Sequence, residues 1–429
     1  MRGVVCVLIV LLAFACNGSE QGPRTATPEP SPSATPAATA TSQATTTPTA
    51  VPTAVEYPPK VSLTEAGVYL IRPDGTGLRH LTPQPTGFSW FSWSPDGSRI
   101  AVVTNACSSP RVSVVDVDGG GAVEVAAFDG SAGGPEWVVT EPQWSPNGRQ
   151  LAMSGRSREE VPSYQTLLVS ADGSSEPIEL FEGLTLGWSP NGESLAFSTR
   201  WDEGATLSVF DMATRTGTAI DEGRKFTSFA SWSPDGQRIA YSMWQPDATH
   251  DALVVIDRDG ENRKVVAERG SHPQWSPDGK YVAFSTGGVG IGWDIAVALA
   301  DGSQEYVRLV PGRTFRWSPK GDAILAWNVG PHLMLVSLAT HEVRDLADDV
   351  RPVLPSSGFS FSPNGEQLTF IGSDPYPQEE AYNALYVVNI DGTGVQKLAR
   401  PSRAIGWGAD WSPDGRYIAF VDTIIGGCE

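Results

Sequence analysis

The sequence predicts an all-β fold: a β-propeller of eight four-stranded blades, with the ring closed by pairing the N- and C-terminal strands. Helical periodicity is almost absent from the 429 residues, and strand-like runs alternate with turn residues. One element, Trp-Ser-Pro-x-Gly or a close variant, recurs at spacings of 42 to 51 residues, a period typical of propellers and solenoids. The element begins at Trp93, Trp144, Trp188, Trp232, Trp275, Trp317, Phe361 and Trp411.

Each repeat predicts two strand pairs. A short strand leads into the Trp, and Pro-Asp-Gly or Pro-Asn-Gly then turns the chain, because Pro presets φ and Gly accepts a positive φ. A second, a third and a weaker fourth strand follow. Third strands are predicted near Val68, Val112, Leu167, Leu207, Leu253, Ile295, Leu333 and Leu385. The first of these has no hairpin before it and the last hairpin has no third strand after it, so the two complete one sheet and close the ring.

Residues 1–16 have the pattern of an export signal. A basic start precedes an apolar run from Val4 to Ala15, which is too short for a permanent membrane span. The run ends at Cys16 and resembles the lipobox of bacterial lipoproteins, in which the Cys is acylated. The resemblance implies a lipid anchor on the outer face of a bacterial membrane, periplasmic or at the cell surface. Ordinary signal cleavage, which would leave a soluble secreted protein, is the alternative.

Residues 17–56 predict a disordered linker, and residues 57–429 the propeller. The linker is dominated by Pro, Thr, Ser and Ala and has too few large apolar side chains to fold. Fully extended, it would reach roughly 100 Å. We therefore expect it to hold the propeller away from the membrane surface.

The repeat resembles the TolB-type propeller repeat. This repeat is found in the periplasmic Tol-system protein and in the propellers of prolyl oligopeptidases, and the resemblance covers residues 57–429. It implies a propeller and is permissive for function. The Tol-system protein resembles a six-bladed ring with an additional amino-terminal domain, whereas this chain has eight repeats and a low-complexity linker.

Composition and motifs disfavour several function classes. A formal net charge of −19 disfavours nucleic-acid binding. Gly-x-Ser-x-Gly, His-Glu-x-x-His and Cys-x-x-Cys motifs are absent from the sequence. The glycine-rich stretch at 287–293 joins two strands, so a loop is favoured over a nucleotide site. We expect no catalytic residues, no cofactor and no metal.

Two features of the sequence contain residue types that bind metals in other proteins. Each Asp-Gly turn supplies one carboxylate, whereas calcium needs six to eight oxygens, so the turns are interpreted as architecture. Some oligogalacturonate lyases use a related propeller with His ligands to a metal in the channel. Here only His272 and Glu141 hold equivalent places, each three residues before a repeat Trp, and two residues fall short of a metal shell.

Two cysteines follow the second strands of the first and last hairpins. They are Cys107 and Cys428, and the predicted ring closure makes the first and last repeats, in which they lie, neighbours. They are predicted either to form a disulfide that locks the ring or to remain free thiols.

Half of the fourteen Trp residues lie outside the repeat element, and most of them are placed at one face. Trp201, Trp244 and Trp293 are predicted in loops between second and third strands, and Trp137 and Trp407 just before inner strands. These connections emerge opposite the Pro-Asp-Gly turns. Together with His272 they form a candidate binding face, since aromatic rings give large contact area at little entropic cost. The alternative is that the rings pack on their own loops.

The sequence therefore predicts an envelope-anchored, monomeric lipoprotein with a non-catalytic propeller. The expected partner is an envelope protein or a polysaccharide. The alternative is a polysaccharide lyase or hydrolase with its site at the mouth of the propeller channel.

Overall fold

The structure, a computed structural model, describes fifteen segments of the chain, and the side chains of a few strand-end residues lie outside the description. The segments are residues 67–83, 90–104, 110–128, 137–157, 164–199, 205–221, 226–244, 251–288, 292–312, 314–327, 332–346, 350–352, 358–373, 383–399 and 405–422.

All described secondary structure is β, in eight antiparallel sheets arranged as a propeller. The predicted fold class is thus confirmed. The described residues form no helix, and hence none long and apolar enough to cross a membrane.

The strands run through the blades in chain order. The first pair is β1 (Gly67–Ile71) and β2 (Arg79–Pro83). Blade 1 contains β3 (Phe91–Trp93), β4 (Arg99–Thr104), β5 (Arg111–Asp116) and β6 (Ala122–Ala127). Blade 2 contains β7 (Trp137–Val139), β8 (Gln143–Trp144), β9 (Gln150–Ser157), β10 (Tyr164–Ser170) and β11 (Ile178–Glu182). Blade 3 contains β12 (Leu184–Trp188), β13 (Ser194–Ser198), β14 (Leu207–Asp211) and β15 (Thr216–Asp221). Blade 4 contains β16 (Phe226–Trp232), β17 (Arg238–Trp244), β18 (Asp251–Asp257) and β19 (Lys264–Ala267).

The second half of the ring repeats this order. Blade 5 contains β20 (Ser271–Trp275), β21 (Tyr281–Gly288), β22 (Gly292–Leu299) and β23 (Val307–Pro311). Blade 6 contains β24 (Thr314–Trp317), β25 (Ala323–Trp327), β26 (Leu333–Ser337) and β27 (Val343–Asp345). Blade 7 contains β28 (Arg351–Pro352), β29 (Phe359–Phe361), β30 (Gln367–Ser373), β31 (Asn383–Asn389) and β32 (Gln396–Ala399). Blade 8 begins with β33 (Ile405–Trp411) and β34 (Ile418–Asp422).

The ring closes as predicted, because β1 pairs with β34 and supplies the third strand of blade 8. The register places Gly67 opposite Asp422 and Ile71 opposite Ile418. The sheet order is β2-β1-β34-β33. Because one blade contains strands from both ends of the described chain, the ring has no open blade with an unpaired inner strand edge.

The repeat turn is braced from inside by its serine. In blade 4 the Ser233 hydroxyl donates to Asp235 Oδ1 at 2.5 Å and accepts from the Arg238 amide at 2.9 Å. Asp235 also accepts from the Gln237 amide at 3.0 Å, and Gly236 takes φ of 67°. The equivalent serines are all buried and are Ser94, Ser145, Ser189, Ser276, Ser318, Ser362 and Ser412. In seven of the eight turns the Ser-x-Asp/Asn pair is therefore turn architecture, and in the eighth Ser318 donates to Asp322 instead.

The repeat Trp joins neighbouring blades in two ways. Trp232 packs in one apolar cluster with Ala196 and Leu207 of blade 3, so it fills the wedge between blades. Its indole Nε1 also donates to the carbonyl oxygen of Gly187 in blade 3 at 3.1 Å. The same bond, at 2.9 to 3.3 Å, is made by Trp93, Trp144, Trp188, Trp275 and Trp317 to Asp410, Ser92, Gln143, Ser231 and Gln274.

The pattern of indole hydrogen bonds changes around blade 7, because the phenyl ring of Phe361 has no N–H group to donate. Trp411 in blade 8 is 6% exposed, and its Nε1 has no hydrogen-bond partner among the described residues. There the Trp411 backbone amide donates instead to Ser360 Oγ at 3.2 Å. The two interfaces flanking blade 7 are thus held differently from the other six.

Candidate functional site

The first strand of each blade lies innermost, since successive inner strands contact one another, as β12 does β16 and β16 does β20. Two positions on these strands are important. The minus-one position directly precedes the repeat Trp or Phe and comprises Ser92, Gln143, Gly187, Ser231, Gln274, Arg316, Ser360 and Asp410. The minus-three position comprises Trp90, Glu141, Thr185, Phe229, His272, Thr314, Gly358 and Gly408. The minus-three position is nearer the end of the channel that lies away from the Pro-Asp-Gly turns, here called the channel mouth.

An aromatic pair lies at the minus-three position of blades 4 and 5. The rings of Phe229 and His272 have centroids 3.7 Å apart and planes inclined by 32°. Phe229 lies within β16, and its side chain remains 37% exposed. His272 Nδ1 lies 3.2 Å from Ser271 Oγ. The pair presents an open aromatic surface at the channel mouth.

The backbone at His272 is held in the left-handed region. Its φ is 56°, and it lies in a β-bulge of β20, between the pairs Ser271–Ser285 and Gln274–Ala283. The equivalent residue of the bulged strand β33 is Gly408, with φ of 99°. Glycine adopts this conformation without strain, whereas a side chain there costs roughly 1 kcal/mol. Bulges redirect side chains, and strained residues concentrate at functional sites.

Side chains at the minus-one position reach the next blade. Ser92 Oγ donates to the carbonyl oxygen of Pro142 at 2.7 Å, and Gln274 Nε2 donates to that of Phe315 at 3.3 Å. Arg316 Nε donates to the carbonyl oxygen of Phe359 at 3.3 Å. The interface between blades 6 and 7, which lacks the indole bond, is thus bridged by Arg316.

Three charged side chains of the inner strands influence one another electrostatically in the channel: Glu141, Arg316 and Asp410. All three side chains are exposed to solvent, but the surrounding protein still removes part of the water around Glu141 and Asp410. This partial desolvation raises the pKa of Glu141 to about 7; Arg316 opposes the rise and Asp410 adds to it. Desolvation also raises the pKa of Asp410, against Arg316 and a hydrogen bond from Ser360. The carboxylates therefore hold protons at a higher pH than ordinary surface carboxylates.

The arrangement of these side chains does not favour a bound metal ion. Within the described segments, no group of three His, Cys, Asp or Glu side chains is placed to hold a metal ion. Glu141 and Asp410 are partnered electrostatically by Arg316, whose fixed positive charge disfavours a cation bound beside it.

No protein-family model matches the chain, and no curated protein matches it. Among solved structures, the C-terminal WD40 domain of Sif2 aligns with 12% identity, 85% of this chain, 99% of that chain and a TM-score of 0.53. This likeness shows the fold alone. The chain is an eight-bladed β-propeller. Weaker alignments are to an oligogalacturonate lyase from Vibrio parahaemolyticus (14% identity, 84% and 99% covered, TM-score 0.48) and TolB from Acinetobacter baumannii (16%, 79% and 80%, 0.39).

Apart from His272, the predicted site residues fall into three groups. Cys16, Cys107, Cys428 and Trp201 lie outside the described residues. Trp137, Trp244 and Trp407 lie within β7, β17 and β33, and only their backbones are described. Trp293 lies in β22 opposite Gly287 and is half-buried.

The prediction that these four Trp residues occupy connections was therefore wrong, because the strands extend further than the repeat. Trp244, for example, pairs with Asp251 across β17 and β18. Strand length depends on cross-strand pairing, which the local pattern does not contain. Their backbones lie at the ends of the blades away from the Pro-Asp-Gly turns.

Sequence reasoning missed Phe229, Arg316 and Asp410. A usable signal existed, because aligning the repeats on their Trp places all three in the minus-three and minus-one columns. Most other members of these columns are Ser, Thr, Gly or Gln. An aromatic or charged residue in such a column marks a position where the repeat departs from its pattern.

Proposed function

We propose that the protein is an exported lipoprotein whose propeller is a non-catalytic binding module for an envelope protein or a polysaccharide. Acylated Cys16 would anchor it to the outer face of a bacterial membrane, and residues 17–56 would act as the tether. Binding would take place at the channel mouth.

The observation that carries this proposal is the exposed Phe229 ring in close, tilted contact with the ring of His272. An exposed ring held by a strained neighbour is pre-organised, so a ligand that covers it gains buried apolar area without ordering the site first. Aromatic residues dominate the energetics of such contacts. Flat apolar faces, as on sugar rings and on side chains of proteins, are suited to this surface.

The test measures binding by the full-length protein in detergent, using envelope polysaccharides and envelope protein fractions as ligands. Phe229→Ala should weaken binding by about tenfold or more, as expected for truncation of an aromatic hot spot. Val343→Ala, at an exposed valine on the outer strand β27, is the matched control and should leave binding unchanged. Equal binding by all three proteins would contradict a site at the mouth.

The anchor has its own test. Cells fed an alkyne-tagged fatty acid should label the wild-type chain and should not label Cys16→Ser. Labelling of both, or of neither, would remove the lipoprotein part of the proposal and leave the binding module untouched.

A second candidate function is favoured by Glu141 and Asp410. Two carboxylates whose pKa values are raised in one channel are suited to proton transfer, as in hydrolysis or elimination of a polysaccharide. Purified protein would be incubated with envelope and plant-type polysaccharides, and new reducing ends and unsaturated products would be measured. Turnover that Glu141→Gln abolishes would establish the enzyme and overturn the non-catalytic proposal.

A further inference from the structure

A cavity of about 290 Å³ lies between blades 5 and 6. Its apolar wall on blade 5 includes Val297 and Leu309, and the β26–β27 turn of blade 6 contributes Leu338 and His341. The cavity is open to solvent at the outer strand β23, where the lining residue Val307 is 45% exposed. It is formed by the second to fourth strands rather than by the inner strands, so it is separate from the channel mouth.

In four blades, the turn between the third and fourth strands packs closely on the outer strand of the preceding blade. A Cβ added at Gly302 in blade 5 would lie 3.0 Å from Lys264 Cε of β19. One added at Gly173 in blade 2 would lie 2.7 Å from Val123 Cγ1 of β6. The turns of blades 4 and 8 approach β15 and β32 in the same way, at Gly260 and Gly75. Only a glycine allows so close an approach.

Blade 6 departs from this pattern. When the third strands are aligned by their pairing, Thr340 takes the place of the turn glycine, and the positive φ moves to His341, where it is 58°. A threonine side chain does not permit the close contact that glycine makes with the preceding blade. The turn therefore stands off from β23, and the cavity lies between them.

Blade 3 has the same kind of turn, but there the chain fills the interface with its own rings. Thr214 takes the glycine place, and Arg215 has φ of 57°. The ring of Phe181 from blade 2 lies with its centroid 4.0 Å from that of Phe197 and 5.0 Å from that of Phe210, both in blade 3. The equivalent residues at the interface of blades 5 and 6 are all smaller and are Val310, Ala326 and Val336.

Polar groups lie at the rim of the cavity. Among the lining residues, Glu305 is the one with a formal charge when His is neutral. Its carboxylate, the Gln304 amide and the Tyr281 hydroxyl form no hydrogen bond with any other described residue. Arg308, which lies between two lining residues, is not part of the lining and pairs with Asp294 at 3.4 Å. The rim is therefore suited to a ligand group that is positively charged.

We propose that this cavity binds a small amine, in which one aromatic ring or an alkyl group of similar size carries an ammonium group. A cavity of roughly 150 Å³ holds benzene, so one of about 290 Å³ has room for a ring and a short alkyl chain. The ring lies on the apolar wall, and the ammonium group donates to Glu305 at the rim. The site is distinct from the proposed binding surface at the channel mouth.

The first experiment titrates three probes into the full-length protein with labelled Ile, Leu and Val methyl groups and follows the methyl NMR signals. The probes are 2-phenylethylamine, 2-phenylethanol and 3-phenylpropionate, which share a ring and differ in charge. The amine should shift the signals of Leu309 and Leu338 and leave that of Ile178 in place. It should bind about tenfold more tightly than the alcohol, because a hydrogen bond to a charged group is stronger than a neutral one. The carboxylate should bind most weakly.

Two pairs of variants locate the site, all in the same detergent so that partition of the probes into micelles is equal. Val307→Trp fills the cavity and should weaken amine binding by at least about tenfold. Ile178→Trp, at the equivalent place in blade 2, should leave it unchanged. Glu305→Gln should bring the affinities for amine and alcohol to within about twofold. Glu176→Gln, the same change at the equivalent exposed carboxylate between β10 and β11, should keep the preference.

Each outcome bears on this site separately from the channel mouth. If no probe shifts the cavity methyl signals, or if folded Val307→Trp binds the amine as the wild type does, the site is overturned. If Glu305→Gln keeps the preference, or the alcohol binds the wild type as tightly as the amine, the amine assignment is overturned. Phe229→Ala should not change amine binding, and a loss there would overturn the site by placing the probe at the channel mouth. Thermal unfolding of each variant shows whether a loss of binding reflects a loss of fold; if Val307→Trp unfolds, the methyl shifts and Glu305→Gln decide.

Discussion

The indole Nε1 of Trp144 donates a hydrogen bond of 3.0 Å to the carbonyl oxygen of Ser92 in the preceding blade. In return, Ser92 Oγ donates to the carbonyl of Pro142, two residues before Trp144, at 2.7 Å. The two bonds run in opposite directions between the inner strands of blades 1 and 2. The repeat Trp thus fills the wedge between two blades, and its indole is also hydrogen-bonded to the backbone of the preceding blade.

Substituting Trp144 should separate these two contributions. Trp144→Phe keeps most of the apolar area and loses the donor, so we expect a loss of about 1–2 kcal/mol in the free energy of unfolding. Trp144→Ala also loses the packing and should lose about 3–5 kcal/mol. Urea unfolding measures both. Phe361→Ala is the control, because the phenyl ring at this repeat position has no N–H group and the substitution removes packing alone. If Trp144→Phe is as stable as the wild type, the indole hydrogen bond contributes nothing to stability.

Removing the turn brace should destabilise the blade hairpin. Ser233→Ala leaves the Arg238 amide and the Asp235 carboxylate without their buried partner, and we expect a loss of about 1–3 kcal/mol. Asp235→Asn keeps the acceptor oxygen and should change stability by less than about 0.5 kcal/mol, since Asn occupies this place at 147, 191 and 364. Thermal unfolding compares the pair. A loss for Asp235→Asn as large as that for Ser233→Ala would contradict this and would mean that the carboxylate charge contributes as much as the hydrogen bonds of Ser233.

The turn carboxylates should make the propeller acid-sensitive. The Ser94 hydroxyl and the Ser98 amide lower the pKa of Asp96 to about 2, and hydrogen bonds from Ser233 and Ser276 likewise lower the pKa values of Asp235 and Asp278. A carboxyl group whose pKa is lower in the folded than in the unfolded protein stabilises the fold at a pH above its unfolded pKa, which is near 4. This stabilisation is lost as the pH falls through the pKa of the folded state. Unfolding free energies should therefore fall between about pH 4 and pH 2. Asp96→Asn should show a shallower decline, and an identical pH profile would contradict this assignment.

Glu141 should have the opposite pH dependence. Its pKa of about 7 lies above the unfolded value near 4.5, so the folded protein binds the proton more tightly. Folding therefore loses stability as pH rises from about 4.5 to 7. Glu141→Gln, which is always neutral, should match the wild type at pH 4 and exceed it in melting temperature at pH 8. Glu176→Gln serves as control, and a constant difference between wild type and Glu141→Gln across this range would contradict the raised pKa.

Much of the fold could be predicted because its determinants are local. The third strand near Leu253 follows from a continuous run of apolar residues that ends at an Asp-Gly turn, and the hairpin at Trp232 follows from its Pro-Asp-Gly turn. Counting unmatched strands was enough to predict that β1 joins β34. The extents of β17 and β22 could not be predicted, because pairing beyond the repeat, as between Trp244 and Asp251, decides where a strand ends.

The candidate site was predicted only in part for a different reason. His272 and Glu141 were noticed because each lies three residues before a repeat Trp. Their partners are far away in the chain: Asp410 and Arg316 act on Glu141 from blades 8 and 6. A repeat alignment shows which columns deviate but not which deviating residues meet.

The sequence by itself determined the propeller, the number of its blades and the place where the ring closes, because turn chemistry and strand alternation act between neighbouring residues. Only the tertiary structure decided that the Phe229 ring contacts the ring of His272, that Arg316 bridges the interface where Phe361 replaces Trp, and that Glu141, Arg316 and Asp410 share one channel. Closing the ring brings the inner strands of eight repeats onto a common axis. Residues separated by up to several hundred positions then share one enclosed environment, and their pKa values and contacts are properties of that environment.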